Sequence, residues 1–229
     1  MQQIIKEFLL TNEIDLTIID RIVYNSGGYM KKEQKTIITK NKIMAKALEE
    51  FGENGYLGTS LNTICKEGIS KGLLYHNFES KDVLYLECVK ESFDKLITYI
   101  KNQEIGTDPK KYMEARLQFF QTYPNHGRIF FEAILQPPHQ LKKEIELIKE
   151  QFDQLNIQIY QGILSTLTLR KGVTKKNAMN YFSIMQAMFN GYFSSPTYQS
   201  LSQDEWVMMH EDYLLKMIDF MLYGIANRG

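Results

Sequence analysis

The stretch GISKGLLYHNFESKDVLYLECV, residues 68–89, contains two Ser-Lys pairs ten residues apart, Ser70-Lys71 and Ser80-Lys81, with Gly72 just inside the first segment. Serine followed by an apolar-periodic run marks a helix start, so the stretch holds one helix of barely two turns and the beginning of a longer one. At about 100° per residue, Leu74 and Phe78 share a face of the short helix. Gly72, Leu73 and His76 lie roughly opposite, and Lys71 and Tyr75 fall on the flank. A helix this short is not stable alone. Leu74 and Phe78 must therefore anchor it on neighbouring helices, leaving a small outward surface rich in hydrogen-bonding groups.

The neighbours lie just upstream. From about Thr39, Ile43, Ala47, Leu48 and Phe51 recur at helical spacing, and GENGY at 52–56 closes that helix, with Gly55 suited to the left-handed residue beyond a helix end. Thr59 or Ser60 caps a second, short helix that turns Leu61, Ile64 and Cys65 inward, and Gly68 stops it. Three short helices over 40–78 form a helix-turn-helix, in which the second helix braces the third so that its outer face enters the major groove. Lysines 31, 32, 35, 40, 42 and 46 crowd one segment against a single acid, Glu33, although the whole chain carries formal net charge zero. A locally basic segment binds polyanions even so. The starts at Ser70 and Ser80 offer backbone N–H groups to phosphates, Lys71 and Lys81 add charge, and Tyr75 and His76 can donate to phosphate oxygens.

Taken in order, IMAKALEEFGENGYLGTSLNTICKEGISKGLLYHNFESKDVLYLECV at 43–89 resembles the TetR (tetracycline-repressor-like) family of bacterial transcriptional regulators over about a fifth of the chain. The resemblance rests on the phenylalanine closing the first helix, Gly-Tyr, Thr-Ser, Ile, Gly-Ile-Ser-Lys-Gly, Leu-Tyr-His, Phe and Ser-Lys. It implies an all-helical dimer whose variable C-terminal domain binds a small effector that releases a near-palindromic operator. It puts Thr59, Ser70, Lys71, Gly72, Leu73, Tyr75, His76 and Lys81 at or near DNA, and Ile43, Phe51, Ile64, Leu74 and Phe78 in the core; Ser60 and, from its place beside the helix-turn-helix, Lys40 are read as further DNA-binding positions. Two departures stand out. Leu73 replaces a small polar residue, trading a hydrogen bond for an apolar contact such as one to a thymine methyl. TICKEGISKG is one residue shorter than the family's usual stretch. A loss inside a helix would rotate everything after it by about 100°, whereas a tightened turn absorbs it and keeps Leu74 and Phe78 buried, which is the expectation here.

The remainder reads as helices over roughly 109–123, 126–135, 138–169, 175–194 and 202–226, separated by YPNHG, QPPHQ, RKGVT and SSPTYQSLSQDE, with no alternation long enough for a sheet. The expected fold is all-α: an N-terminal three-helix helix-turn-helix head joined by a linking helix to a larger helical C-terminal bundle. The boundaries place the head at 30–84 and an effector-binding and dimerisation domain at 85–229. Residues 1–29, ending in YNSGGY, read either as a docking helix or, the favoured alternative, as an upstream stretch from a start called too early, Met30 being the natural start.

Within the bundle, Phe119, Phe120, Tyr123, Phe130, Phe131, Tyr160, Phe182, Met185 and Phe189 are first of all core. The resemblance places the effector pocket among these helices, where Met and aromatic side chains also line adaptable cavities. Met179, Met188, Met209, Tyr213, Met217 and Phe220 give the last two helices more apolar area than one chain needs, and by resemblance this pair builds a two-fold dimer interface.

Partners follow: double-stranded operator DNA, a second copy of the chain and a small effector, with no cofactor and no metal. His126, His139 and His210 read as surface or pocket-rim histidines, and Cys65 and Cys88 as reduced thiols without metal-site spacing. The sequence carries no nucleophile elbow, Gly-rich phosphate loop or metal triad, so it is read as a regulator and not an enzyme. Its apolar runs are shorter than a membrane span, and the expected setting is the cytoplasm, with no membrane partner. The competing class is a helical dimeric interaction protein whose shortened turn has disabled DNA binding.

Overall fold

In the computed structural model, which describes residues 32–65, 68–195 and 202–225, the stripe Ile43, Ala47, Leu48 and Phe51 is buried along helix α1, Lys32–Gly58. The helix starts at Lys32 instead of near Thr39. Lys and Gln are good helix formers, but a stretch without apolar periodicity shows no face to read. Gly55 breaks α1 with φ 66° and ψ 177°, a left-handed φ that favours glycine. The bend is held twice: the Thr59 N–H donates to the Gly55 carbonyl at 3.2 Å and the Thr59 hydroxyl to the Glu50 carbonyl at 2.9 Å.

Helix α2 spans only Leu61–Ile64, with Ser60 Oγ accepting the Asn62 N–H at 3.2 Å. Cys65 ends it, and Gly68 turns the chain at φ 90°. Helix α3, Lys71–Asn77, is capped by Ser70 Oγ, which accepts the Leu73 N–H at 3.2 Å. Ile64, Ile69, Leu74 and Phe78 are all buried. The apolar face of α3 thus stays inward, as expected of a shortening absorbed between the helices. In helix α4, Lys81–Lys101, Ser80 Oγ accepts the Val83 N–H at 3.2 Å. Phe51 and Tyr56 meet Tyr85 edge-on at 5.1 and 5.0 Å, and Tyr56 donates its hydroxyl to Asp82, fastening α1 to α4.

The chain divides within α4 into two units, residues 1–88 and 89–229. The second unit contains the rest of α4 followed by α5 (Pro109–Thr122), α6 (Pro124–Leu135), a 3₁₀ turn (His139–Leu141), α7 (Lys142–Ser165), α8 (Lys175–Phe193) and α9 (Gln203–Ile225). Proline is favoured at the first helical position, which is why α5 and α6 start at Pro109 and Pro124. Its centre is a run of rings: Phe93 lies 4.8 Å from Phe130, Phe120 5.4 Å from Phe130, and Phe130 5.2 Å from Phe152. Gly127 lets α6 close on α5, because a Cβ there would stand 3.0 Å from Phe120 Cδ1. Among the described residues there is no strand, and no helix is long and apolar enough to cross a membrane.

The 1–29 segment and Lys31 lie outside the described residues. Of the histidines, His139 is exposed, but His126 and His210 are buried at 8% and 2% exposure, which corrects the surface reading. Each packs among rings: His126 by Tyr123, and His210 by Phe131, Phe189, Phe193 and Trp206.

Candidate functional sites: an exposed helix face and a cavity

On α3, Leu74 is fully buried while Ser70, Lys71, Gly72, Leu73, Tyr75 and His76 are exposed, Tyr75 by 54%. A Cβ at Gly72 would meet nothing within 4 Å, so no packing inside the head requires a glycine there. Asn77 donates to the Leu73 carbonyl at 2.8 Å and closes the end of the helix. The outward face is therefore small, polar apart from Leu73, and held rigidly from behind.

The other expected positions divide. Ser60 is exposed at the start of α2. Lys40 is exposed, with its Nζ 3.9 Å from a Glu87 carboxylate oxygen and 5.4 Å from the Phe78 ring, a surface pair too weak to hold it. Lys81 is half-buried, its ammonium 4.4 Å above the Tyr56 ring. Thr59 corrects the expectation: at 4% exposure, with its hydroxyl committed to Glu50, it braces the Gly55 bend and presents no side chain outward.

The second unit holds a cavity of about 430 Å³ between α5, α6, α7, α8 and α9. Phe130, Tyr160, Phe182 and Phe189 line it, and Tyr160 stacks on Phe182 with ring centres 3.9 Å apart and planes 12° from parallel. Phe119, Phe120, Tyr123, Phe131 and Met185 do not line it. The first four are spent ring on ring between α5 and α6, Phe119 lying 5.2 Å from Tyr123 and Phe120 4.7 Å from Phe131. Met185 is buried in the α8 core.

Polar residues missed in the sequence shape this cavity. The guanidinium of Arg116 donates from Nε to Glu211 Oε2 at 2.8 Å and from Nη2 to Glu211 Oε1 at 2.7 Å, with both side chains at 5% exposure or less. Its Nη1 reaches the Tyr112 oxygen at 3.4 Å, and Tyr112 donates to Asn156 Oδ1. Burial alone would push the Glu211 carboxyl up, but the Arg116 charge and the hydrogen bonds from Arg116 and His210 outweigh it and hold the group at about 2. His210 Nδ1 lies 3.1 Å from Glu211 Oε1, while its Nε2 is buried without a hydrogen-bond partner. Burial lowers the His210 pKa, so the ring is neutral. The signal was present: Arg116 sits on the same stripe as Tyr112, Met113, Phe119 and Phe120, and Glu211 on that of Ile218 and Leu222. A charge on an apolar stripe needs a buried partner. Among the described residues no group of acidic, His or Cys side chains could hold a metal ion.

Two apolar stripes face outward. Tyr181, Ile184, Met188 and Tyr192 are exposed on α8, Met188 by 70%, and Tyr213, Met217 and Phe220 on α9, Phe220 by 76%. Met209 is half-buried in line with the α9 stripe. Met179 departs from expectation: nine residues before Met188, it lies on the opposite side of α8 at about 100° per residue and is half-buried.

The head is thus a helix-turn-helix with an outward third helix, on a chain otherwise built as a helical bundle. Residues 43–88 match the family described as bacterial regulatory proteins, tetR family. The chain is 28% identical over 110 residues to the HTH-type transcriptional regulator RutR of Escherichia coli K12, covering 46% of this chain and 52% of RutR. It is 45% identical over 58 residues to the biofilm operon icaADBC negative transcriptional regulator IcaR of Staphylococcus aureus strain Newman, covering 25% of this chain and 31% of IcaR. The alignment thus spans about half of RutR's length and under a third of IcaR's. The crystal structure of the transcriptional regulator FadR from Bacillus subtilis in complex with stearoyl-CoA superposes with a TM-score of 0.54 over 80% of this chain and 98% of that one, at 18% identity, a likeness of fold.

Proposed function

We propose that this chain is a homodimeric, ligand-responsive DNA-binding regulator of transcription, a repressor that leaves its operator when a small effector occupies the cavity of the second unit. The observation that carries the reading is the α3 face: Lys71, Gly72, Tyr75 and His76 are exposed on a helix whose inner side is fixed by Leu74 and Phe78. Such a face fits the major groove, with Lys71, Tyr75 and His76 reaching phosphates and Leu73 an apolar base edge.

Two copies joined through the α8 and α9 stripes would present two α3 helices to successive major grooves, about 34–36 Å apart. That the stripes are apolar and exposed supports a second copy as their occupant. Effector binding would act by population shift, the ligand binding the released state better than the DNA-competent one, with α4 as the lever because it is one continuous helix shared by both units. That RutR and IcaR bear regulator names supports the DNA-binding reading, and the stearoyl-CoA in FadR supports reading the cavity as a small-molecule site. No step of this account requires the chain to catalyse a reaction.

Electrophoretic mobility of the chain on its own upstream promoter fragment, repeated at several salt concentrations, tests the proposal. Retardation that weakens steeply with salt is expected. A chain that self-associates yet never retards the duplex, even at low salt, would instead be an interaction protein on a helix-turn-helix scaffold.

A further inference from the structure

The most unusual polar atom of the second unit is His210 Nε2. A buried polar atom without a partner forfeits the hydrogen bonds it would make in water, and each such atom asks for an explanation. Here the surroundings supply one. His210 lines the cavity, its Nδ1 is taken by Glu211, and the rings of Phe131, Phe189, Phe193 and Trp206 surround it at 4.8–5.3 Å. The Glu211 carboxylate has no proton to give, so Nδ1 must be the protonated nitrogen of a neutral imidazole. Nε2 then carries only a lone pair, and what it lacks is a donor.

The charges on the wall narrow the ligand further. Arg116 spends two N–H groups on Glu211 and a third on Tyr112. Lys149 lies 2.6 Å from Asp153 and 3.7 Å from Glu146, both also on the cavity wall. Each cation is matched by at least one carboxylate, so no uncompensated positive charge awaits an anion. The apolar part of the wall combines rings, among them Phe130, Phe182 and Phe189, with aliphatic side chains, among them Ile134, Ile163 and Ile218.

We propose, building on the reading of this cavity as the effector site, that its ligand is an uncharged, largely apolar molecule with one hydroxyl or N–H group that donates to His210 Nε2. Anionic ligands such as carboxylates are disfavoured at His210, because an anion would meet a lone pair there and find the cations of the wall already matched by carboxylates. His210 is thereby a specificity-determining residue: it selects for a donor and against an ether or an acid of the same shape.

The test is titration calorimetry on the full chain without DNA, at neutral pH, with three probes of one shape: 2-naphthol, 2-methoxynaphthalene and 2-naphthoate. The expected result is binding of 2-naphthol about tenfold or more tighter than either of the others, the range set by leaving a buried acceptor unpaired. His210→Phe, with folding checked by circular dichroism, is expected to bring naphthol and ether within about twofold, whereas His210→Gln, which keeps a carbonyl acceptor, retains the preference. Should His210→Phe not fold, the three probes on the parent and on His210→Gln decide alone. Absence of naphthol binding, equal binding of naphthol and ether, tighter binding of naphthoate, or a preference that survives in folded His210→Phe overturns the proposal. Since no DNA is present, these outcomes bear on the ligand class, while failure to retard the promoter fragment bears on the regulator reading.

Discussion

Arg116 on α5 and Glu211 on α9, ninety-five residues apart, meet through two hydrogen bonds of 2.8 and 2.7 Å with both side chains almost fully buried. The pair ties together two helices of the second unit and holds His210 in its tautomer. Breaking one partner of a buried pair leaves an unpaired charge, which costs about 3–5 kcal/mol. Arg116→Met should accordingly lower stability by that order in urea unfolding, and Arg116→Met combined with Glu211→Leu should be less destabilising than the single change. A single variant as stable as the parent would mean that the pair does not hold α5 to α9.

Acid should weaken the fold in two stages. Burial, then the Lys95 charge, holds His126 at about 3, against 6.5 for an ordinary histidine. The unfolded chain therefore takes up that proton first, and stability falls as pH drops from about 6.5 toward 3. His210, lowered by burial, acts in the same direction. Glu211, held at about 2 instead of 4.5, adds a second loss only below about 4.5. Melting temperatures at pH 7.5, 5.5 and 4.0 should fall progressively, and His126→Gln should flatten the first part of the curve. A melting temperature unchanged between pH 7.5 and 5 would contradict the burial of both histidines.

Gly72 separates fold from function. With nothing within 4 Å of its added Cβ, Gly72→Ala should leave the head as stable or more stable, by up to about 1 kcal/mol from helix propensity. Duplex affinity should nonetheless fall, since the methyl group would stand between the helix start and the DNA. Unchanged affinity would show that α3 does not approach DNA there.

How much of this was legible in the chain follows from what each signal depends on. The head could be read almost residue by residue, because Ser70, Ser80, Leu74 and Phe78 act through local capping and helical spacing. The α1 start at Lys32 could not, since a polar first turn has no face to betray it. Thr59 looked like a surface cap and is instead buried against Glu50, a contact set by the Gly55 bend. The cavity was half-legible: aromatic residues in helices are core by default, and whether Phe120 or Phe182 faces the cavity depends on how five helices meet. Arg116 and Glu211 were the clearest overlooked signal, being charges on apolar stripes whose pairing spans most of the second unit.

The apolar stripes carry their own expectation. Met188→Lys combined with Phe220→Lys should convert a dimer into a folded monomer in sedimentation equilibrium and weaken operator binding with it. A dimer that persists would move the interface away from α8 and α9.

The central claim, that the outward face of α3 grips DNA, is tested most directly by the salt dependence of affinity for the upstream promoter fragment in the parent and in Lys71→Ala. Removing a phosphate contact should weaken binding and reduce the slope of log affinity against log salt by about 1 for each lysine lost from the complex. Equal affinity and equal slope in Lys71→Ala would contradict the assignment of this face.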